Sequence, residues 1–191
     1  MAPRLLNKAC IITGTGGSMG RAAALRFASE GAIIVRCDLN TANDTETTEA
    51  NAAYSSSTSR YGSTAGSTYS TRTRQWCTLS GWKDETWHKS IDAELNLVYF
   101  LTRAAWPRLK QSKESIVNLA MEGREAGIRV NSISTGVIES LQTMPYMADS
   151  EWSDAMLRKF GQPEEVVALA SFLVSSEASF ITGAVIKVDG G

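Results

Sequence analysis

Length, composition and charge limit the classes of protein to which this sequence can belong. The chain has 191 residues, 43% of them hydrophobic, so it is long enough for one sizeable core, and we expect a single domain over residues 1–191. Its 19 basic and 20 acidic residues give a formal net charge of -1, which favours neither nucleic acid nor an anionic membrane as a partner. No stretch resembles a membrane span or a signal-peptide core, so we expect a cytoplasmic protein.

The cysteines and the single histidine do not form the pattern of a metal site. Cys10, Cys37 and Cys77 are odd in number and widely spaced, which favours reduced structural thiols over a disulfide or zinc framework. His88 stands beside Lys89 with no matching acid, base or ligand nearby, so we expect it on a helix surface. The sequence therefore predicts no metal.

The first forty residues follow the order strand, glycine turn, helix, strand. Apolar runs at 9–13 and 32–37 suit buried strands, and the residues from Arg21 to Glu30 suit a helix that ends at Gly31. The intervening turn, 14–20, is rich in glycine, which lets backbone amides approach a pyrophosphate at a helix N-terminus. Asp38 follows the second run, 18 residues after Gly20, close to the spacing of an acid that binds the adenosine ribose hydroxyls. The alternative is an ordinary tight turn with a surface aspartate.

This turn resembles the phosphate-binding loop of the short-chain dehydrogenase/reductase family. Thr13-Gly14-x-x-x-Ser18-x-Gly20 is similar to the family's TGxxxGxG pattern, with Ser18 at the place of the middle glycine. The resemblance implies that the cofactor contacts come from the turn and from the end of the second strand: Gly14, Gly17, Ser18, Met19, Gly20, Asp38 and Leu39.

The residues around Asp38 favour NAD over NADP. A 2'-phosphate would meet the carboxylate of Asp38 and find no basic residue at positions 15–17. Arg36 is the opposing observation, because strand alternation places it on the same face as Asp38, where it could reach round to a phosphate.

Residues 40–78 differ from the segments on either side. They contain no Val, Ile, Leu, Phe or Met and are dominated by Ser and Thr. This composition predicts an irregular, low-complexity segment in which no buried parallel strand forms, although the family has its third and fourth strands there.

The segment from Trp82 to Lys110 has apolar residues at helical spacing and predicts two consecutive helices or one bent helix. Pro107 lies near its predicted end, where it can stop or kink the helix. Asn96 resembles the family's active-site asparagine, whose backbone carbonyl holds a water of the proton relay. The alternative is a helix asparagine with no catalytic duty.

The catalytic segment of the family has no counterpart in this sequence. Residues 115–120 resemble the fifth strand, after which relatives carry a Ser and then Tyr-x-x-x-Lys, yet none of the five tyrosines here has Lys four residues later. Only Met121 to Gly127 separate this run from the next strand-like run, whereas parallel neighbours require a crossover of about a dozen residues or more. Either the two runs pair differently, for instance as a hairpin, or the sequence joins pieces that are not neighbours in the intact chain.

The last sixty residues again resemble the family. Asn131 to Ser140 is similar to the loop in which the backbone at Ile138 and the hydroxyl of Ser140 would meet the nicotinamide carboxamide, although Thr135 replaces the usual proline. Residues 161–191 match the family ending, with Pro163 at a helix start and a last strand that often lies at an oligomer interface. We therefore expect a homo-oligomer, either a dimer or a tetramer.

Together these observations predict an α/β fold, a Rossmann-type doubly wound parallel sheet in three layers that is incomplete. The resemblance implies an NAD-dependent oxidoreductase that transfers hydride between nicotinamide and a small hydroxyl or carbonyl substrate. Without the Tyr and Lys, the alternatives are an inactive NAD-binding protein or partner subunit, and a recorded sequence that abridges a longer enzyme.

Overall fold

The computed structural model describes residues 3–38, 68–70, 88, 91–92, 96–117, 127–140, 143–144 and 155–191. Within this part of the chain lie six strands and three α-helices. In chain order they are β1 (Ala9–Thr13), α1 (Ser18–Ser29), β2 (Ile33–Cys37), β3 (Thr68–Ser70), α2 (Leu97–Ser112), β4 (Ser115–Val117), β5 (Arg129–Thr135), α3 (Pro163–Val174) and β6 (Val185–Val188), with a 3-10 turn at Ser176–Ala178.

The six strands form one parallel sheet in the order β2-β1-β3-β4-β5-β6. From β1 the chain first adds β2 on one side and then continues with β3 on the other, so the strand order reverses between β1 and β3. This reversal defines a doubly wound sheet and confirms the predicted α/β class.

Helices cover both faces of the sheet. Phe27 of α1 and Leu173 of α3 belong to one buried cluster, whereas Leu109 of α2 belongs to a second. Ile116 and Val117 are consecutive in β4, yet Ile116 enters the second cluster and Val117 the first, because strand side chains alternate between faces. The sheet is therefore buried on both sides, as an all-parallel sheet requires, and the three-layer prediction is confirmed.

Helix α1 begins three residues earlier than the sequence predicted. It starts at Ser18, so Ser18, Met19 and Gly20 form its first turn and not the end of the preceding loop. Its C-terminal end agrees with the prediction: Gly31 has φ +89°, and the Ala32 amide donates to the Phe27 carbonyl at 3.0 Å, which completes a Schellman motif.

The prediction that no buried parallel strand forms within 40–78 is wrong. Thr68–Ser70 lies between β1 and β4, with Ile11 opposite Thr68 on one side and Ile116 opposite Thr68 on the other. Main-chain hydrogen bonding to two neighbours does not require apolar side chains, and threonine and tyrosine favour extended backbone. The rest of 40–78 lies outside the described residues.

Strands β4 and β5 pair in parallel, with Ser115 opposite Arg129 and Val117 opposite Asn131. The hairpin alternative is therefore wrong, because a hairpin would make the two strands antiparallel. The connecting residues 118–126 lie outside the described part of the chain, and so does the junction between Ala120 and Met121.

Helix α2 continues past Pro107 to Ser112, so the proline neither ends the helix nor marks its last turn. His88 is helical and exposed, as predicted. Much of the remainder of 82–95 lies outside the described residues.

Candidate functional site

The candidate site lies at the edge of the sheet where the parallel strands end. Thr13 of β1 is opposite Cys37 of β2, so the glycine turn and Asp38 leave the sheet side by side. The loop after β5 begins at the same edge, because all the strands run in one direction. In open α/β sheets, ligands bind in the crevice outside these carboxyl ends, at the point where the strand order reverses.

Gly20 brings the first turn of α1 directly against the glycine turn. A Cβ at this position would lie 2.0 Å from the Gly14 carbonyl oxygen, a distance that no side chain could occupy. Gly14 has φ +71°, in the region that favours glycine, and its carbonyl accepts the Gly17 amide at 3.0 Å. The turn is therefore compact, and its backbone is accessible to close approach.

The N-terminus of α1 has the electrostatic character of an anion site. Its cap residue is Gly17, which has no side chain to satisfy the first amides, and the first turn contains no acidic residue. The first amides of a helix have no intrahelical acceptor, and the helix dipole makes this end positive. The amides of Ser18, Met19 and Gly20 therefore suit a pyrophosphate.

Asp38 contacts the glycine turn itself. The Gly16 amide donates a hydrogen bond of 2.8 Å to Oδ2 of Asp38, and the carboxylate is half-buried. This contact links the end of β2 to the turn after β1. The structure thus brings together two features that are 22 residues apart in sequence.

The loop after β5 is held to β6 and to the segment before α3. A Cβ on Gly136 would lie 2.8 Å from Cα of Asp189, so this glycine permits close packing of the two strand ends. Ile138 is buried and forms an isolated parallel bridge with Gly161, where the Glu139 amide donates to the Gly161 carbonyl at 2.8 Å.

Comparison with known proteins finds similarity to one family of oxidoreductases. A family model described as enoyl-(acyl carrier protein) reductase matches residues 118–191. The 3-oxoacyl-(acyl carrier protein) reductase of Thermotoga maritima is 28% identical over 242 positions, which cover 98% of each chain. A glucose/ribitol-type short-chain dehydrogenase from Brucella melitensis superimposes with a TM-score of 0.78 at 27% identity, covering 100% of this chain and 98% of that one.

Over nearly its whole length, the chain is similar in sequence and fold to short-chain dehydrogenases/reductases. It is shorter than the Thermotoga reductase, because an alignment of 242 positions on a chain of 191 residues leaves at least 51 positions without a counterpart here. Since the alignment covers 98% of both proteins, the missing positions are internal.

Other similar proteins differ in the substrate or the bound cofactor that their names give. The cyclohexanol dehydrogenase of an Acinetobacter species is 26% identical over 100% of this chain and 96% of its own length. A solved structure from Agrobacterium tumefaciens, assigned as a 2-deoxy-D-gluconate 3-dehydrogenase, contains bound NADP and has a TM-score of 0.80 at 21% identity, over 100% of this chain and 98% of that one. That likeness shows the fold and does not decide between NAD and NADP for this chain.

The residues present at the edge of the sheet fit a dinucleotide. Three separate observations support a cradle for the phosphates, formed by residues 14–20 and Asp38. Gly20 lies close to Gly14, the cap residue Gly17 has no side chain, and the Asp38 carboxylate binds the Gly16 amide. Leu39, the remaining predicted contact at this end, lies outside the described residues.

Asn96 has π-helical backbone and stands immediately before α2, and Asp92 is also π-helical. Its side-chain amide donates to Oδ1 of Asp92 at 2.7 Å, so the side chain is held on its own helix. A π-helical turn interrupts the regular backbone ladder, and such interruptions are frequent at functional sites.

Two residues of the site were not predicted from the sequence. Gly16 contributes the amide that binds Asp38, and Thr143 contributes a hydroxyl that contacts Ile138 and Ser140. The spacing Ser140-x-x-Thr143 is that of a capping box with threonine at its last position, and this spacing is the signal that could have found Thr143.

Among the helices that the structure describes, none is long and apolar enough to cross a membrane. The described residues also contain no group of three or more potential metal-binding side chains.

Proposed function

We propose that this chain binds NAD at the carboxyl edge of its sheet. The N-terminus of α1 would hold the pyrophosphate, and the Asp38 carboxylate would accept hydrogen bonds from the hydroxyls of the adenosine ribose. The contact between Asp38 and the Gly16 amide carries the proposal, because it holds an acid of the right type against the phosphate-binding turn.

The same carboxylate supports NAD over NADP. Its charge would repel a 2'-phosphate at the ribose, and positions 15–17 offer no cation to offset that repulsion. This preference concerns this chain alone, since the Agrobacterium structure holds NADP on a similar fold.

At the other end of the cofactor, the backbone of Ile138 and the hydroxyl of Ser140 would hold the nicotinamide carboxamide. Bound NAD would supply a ring that accepts or donates hydride. The Asn96 backbone carbonyl would hold the water that connects the site to solvent.

The chain itself lacks the acid–base pair that hydride transfer to a carbonyl requires. An alcohol oxygen must lose or gain a proton as the hydride moves, and a positioned acid or base accelerates such a step by roughly a hundredfold to ten-thousandfold. No tyrosine of this sequence has lysine four residues later. We therefore propose that the chain as written binds NAD without turning over a hydroxyl or carbonyl substrate, and that hydride transfer is the activity of its full-length relatives.

Titration of the purified chain with NAD and NADP by calorimetry tests this proposal. We expect NAD to bind at least about tenfold more tightly, and the Asp38→Asn variant to narrow the difference, because asparagine keeps an oxygen for the Gly16 amide and removes the charge. Glu177→Gln, at an exposed carboxylate paired with Arg4, is the control for the loss of one charge. Tighter binding of NADP to the unmodified chain would contradict the role of Asp38.

A second assay separates binding from catalysis. Absorbance of the reduced nicotinamide is followed with a panel of secondary alcohols and ketones at saturating cofactor. We expect no turnover, and sustained turnover would instead establish a working oxidoreductase.

Assembly of copies remains a prediction. The edge strand β6 and the residues before it expose the apolar side chains of Val185 and Phe180, which supports association along this edge.

A further inference from the structure

The hydroxyl of Thr143 lies at the centre of the turn that follows Ile138. Its Oγ1 is 2.7 Å from the Ile138 carbonyl oxygen and 2.8 Å from the Ser140 amide nitrogen. It also lies 3.0 Å from Oγ of Ser140, and the Thr143 amide donates to that Oγ at 3.1 Å. One half-buried side chain thus contacts both the Ile138 carbonyl and the Ser140 hydroxyl, the two groups proposed to meet the carboxamide.

The Thr143 hydroxyl has one proton, so it can donate in only one of these contacts and must accept in the others. The shortest contact to an acceptor is the one to the Ile138 carbonyl, so we assign the proton to that contact, and the oxygen accepts the Ser140 amide. Oγ of Ser140 accepts the Thr143 amide and keeps its own proton. That proton can donate either to Thr143 or to the carbonyl oxygen of a bound carboxamide.

No proline ring fixes the backbone at the entry to this turn, so hydrogen bonds and packing hold its conformation. Thr135 and Gly136 precede it, and neither fixes φ as a proline ring does. The bridge between Ile138 and Gly161 anchors one side of the turn. Within the described residues, the side-chain hydrogen bonds that anchor the other side come from Thr143 and Ser140.

We propose that Thr143 is a positioning residue that sets the Ile138 carbonyl and the Ser140 hydroxyl for the nicotinamide carboxamide of the dinucleotide. This inference rests on the proposed function, because it concerns the nicotinamide end of the same cofactor. Thr143 acts through its two neighbours and does not itself touch the ligand.

Two ligands that differ only at the nicotinamide test this role. ADP-ribose keeps the adenosine, the pyrophosphate and the second ribose of NAD and lacks the nicotinamide. Calorimetry is performed with both ligands on the unmodified chain, on Thr143→Val, which removes the hydroxyl at nearly constant volume, and on Thr143→Ser, which restores it.

We expect Thr143→Val to weaken NAD binding about three- to tenfold and to leave ADP-ribose binding within about twofold, with Thr143→Ser close to the unmodified chain. Thr182→Val is the matched control: its Oγ1 accepts one backbone amide, that of Val130, near the opposite end of β5, and we expect both affinities to stay unchanged. If valine prevents folding, Thr143→Ala tests the same contact.

An equal loss of both ligands in Thr143→Val, or a loss of neither, would overturn the role of Thr143 while leaving the dinucleotide site intact. Failure of the unmodified chain to bind ADP-ribose would instead overturn the proposed function, and the inference with it.

Discussion

Gly20 allows helix α1 to begin against the backbone of the turn that precedes it. The 2.0 Å between its hypothetical Cβ and the Gly14 oxygen is far below any real contact, so even alanine would force the turn and the helix apart. The steric need for glycine is weaker at Gly17, since a Cβ there would lie 3.3 Å from the same oxygen. The two glycines therefore contribute differently to the cradle, although both belong to one sequence motif.

The Gly20→Ala substitution tests this difference at a single residue. We expect it to lower the free energy of unfolding by about 1–3 kcal/mol, because backbone must move to make room for the methyl group. Gly17→Ala, one turn earlier, is the matched comparison and should cost less. Urea unfolding followed by circular dichroism measures both, and an equal cost for the two variants would contradict the packing described for Gly20.

The sequence predicted that the glycine turn and Asp38 lie close together, and it did not predict the contact that joins them. The spacing from Gly20 to Asp38 predicted that the turn and the acid share one edge of the sheet, and the register of β1 with β2 agrees. The hydrogen bond from Gly16 to Asp38 could not be predicted, because it depends on the path of the backbone after β2. The contacts of Thr143 depend in the same way on how the turn folds back on Ile138.

Among the secondary-structure elements, α3 combines several local signals that agree with one another. Pro163 is its first residue, and the Gln162 amide donates to Oε2 of Glu165 at 2.8 Å. Glu165 also accepts a hydrogen bond from Lys159. The hydrogen bond from Lys159, followed by that from the Gln162 amide, lowers the pKa of Glu165 below its ordinary value of 4.5.

This lowered pKa predicts a pH dependence of stability. A carboxylate whose pKa is lower in the folded state stabilises the fold above its unfolded pKa, and the contribution is lost as the pH falls through the folded value. The difference in Tm between the unmodified chain and Glu165→Gln should therefore be largest near neutral pH and shrink below about pH 4.5. Glu164→Gln, in the same helical turn, controls for the loss of charge, and a difference independent of pH would contradict the assignment.

Strand β3 shows where composition misleads at the level of an element. Residues 40–78 lack the aliphatic side chains from which buried strands are usually recognised, yet Thr68–Ser70 pairs with two neighbours in the sheet. Its place depends on hydrogen-bonding partners supplied by β1 and β4, which are distant in sequence. A local pattern cannot contain that information, whereas the C-terminal end of α1 and the start of α3 could be predicted because their signals are local.

For the whole molecule, the reversal of strand order between β1 and β3 determines where on the sheet a ligand is expected to bind. The parallel strands place the glycine turn, Asp38 and the loop after β5 at the same carboxyl edge of the sheet, and open α/β sheets bind ligands at this edge where the strand order reverses. The sequence predicted the doubly wound class because its two ends carry the strongest motifs. It also predicted the shortening, which the alignment with the Thermotoga reductase places inside the chain.

The proposed NAD site and the catalytic segment of the relatives come from different parts of the chain. The residues proposed to bind NAD come mostly from segments before Leu39 and after Gly127, whereas relatives carry the catalytic Tyr and Lys after the strand that corresponds to β4. A chain without those residues can therefore keep the dinucleotide cradle that its relatives use for catalysis.

Hydrogen–deuterium exchange with and without NAD tests most directly whether the carboxyl edge is the binding site. We predict that saturating NAD slows exchange in the peptides that cover residues 14–20 and 136–144, while the peptide covering residues 176–183, near the opposite edge of the sheet, stays unchanged. Protection confined to another surface, or no protection at saturating NAD, would contradict the account.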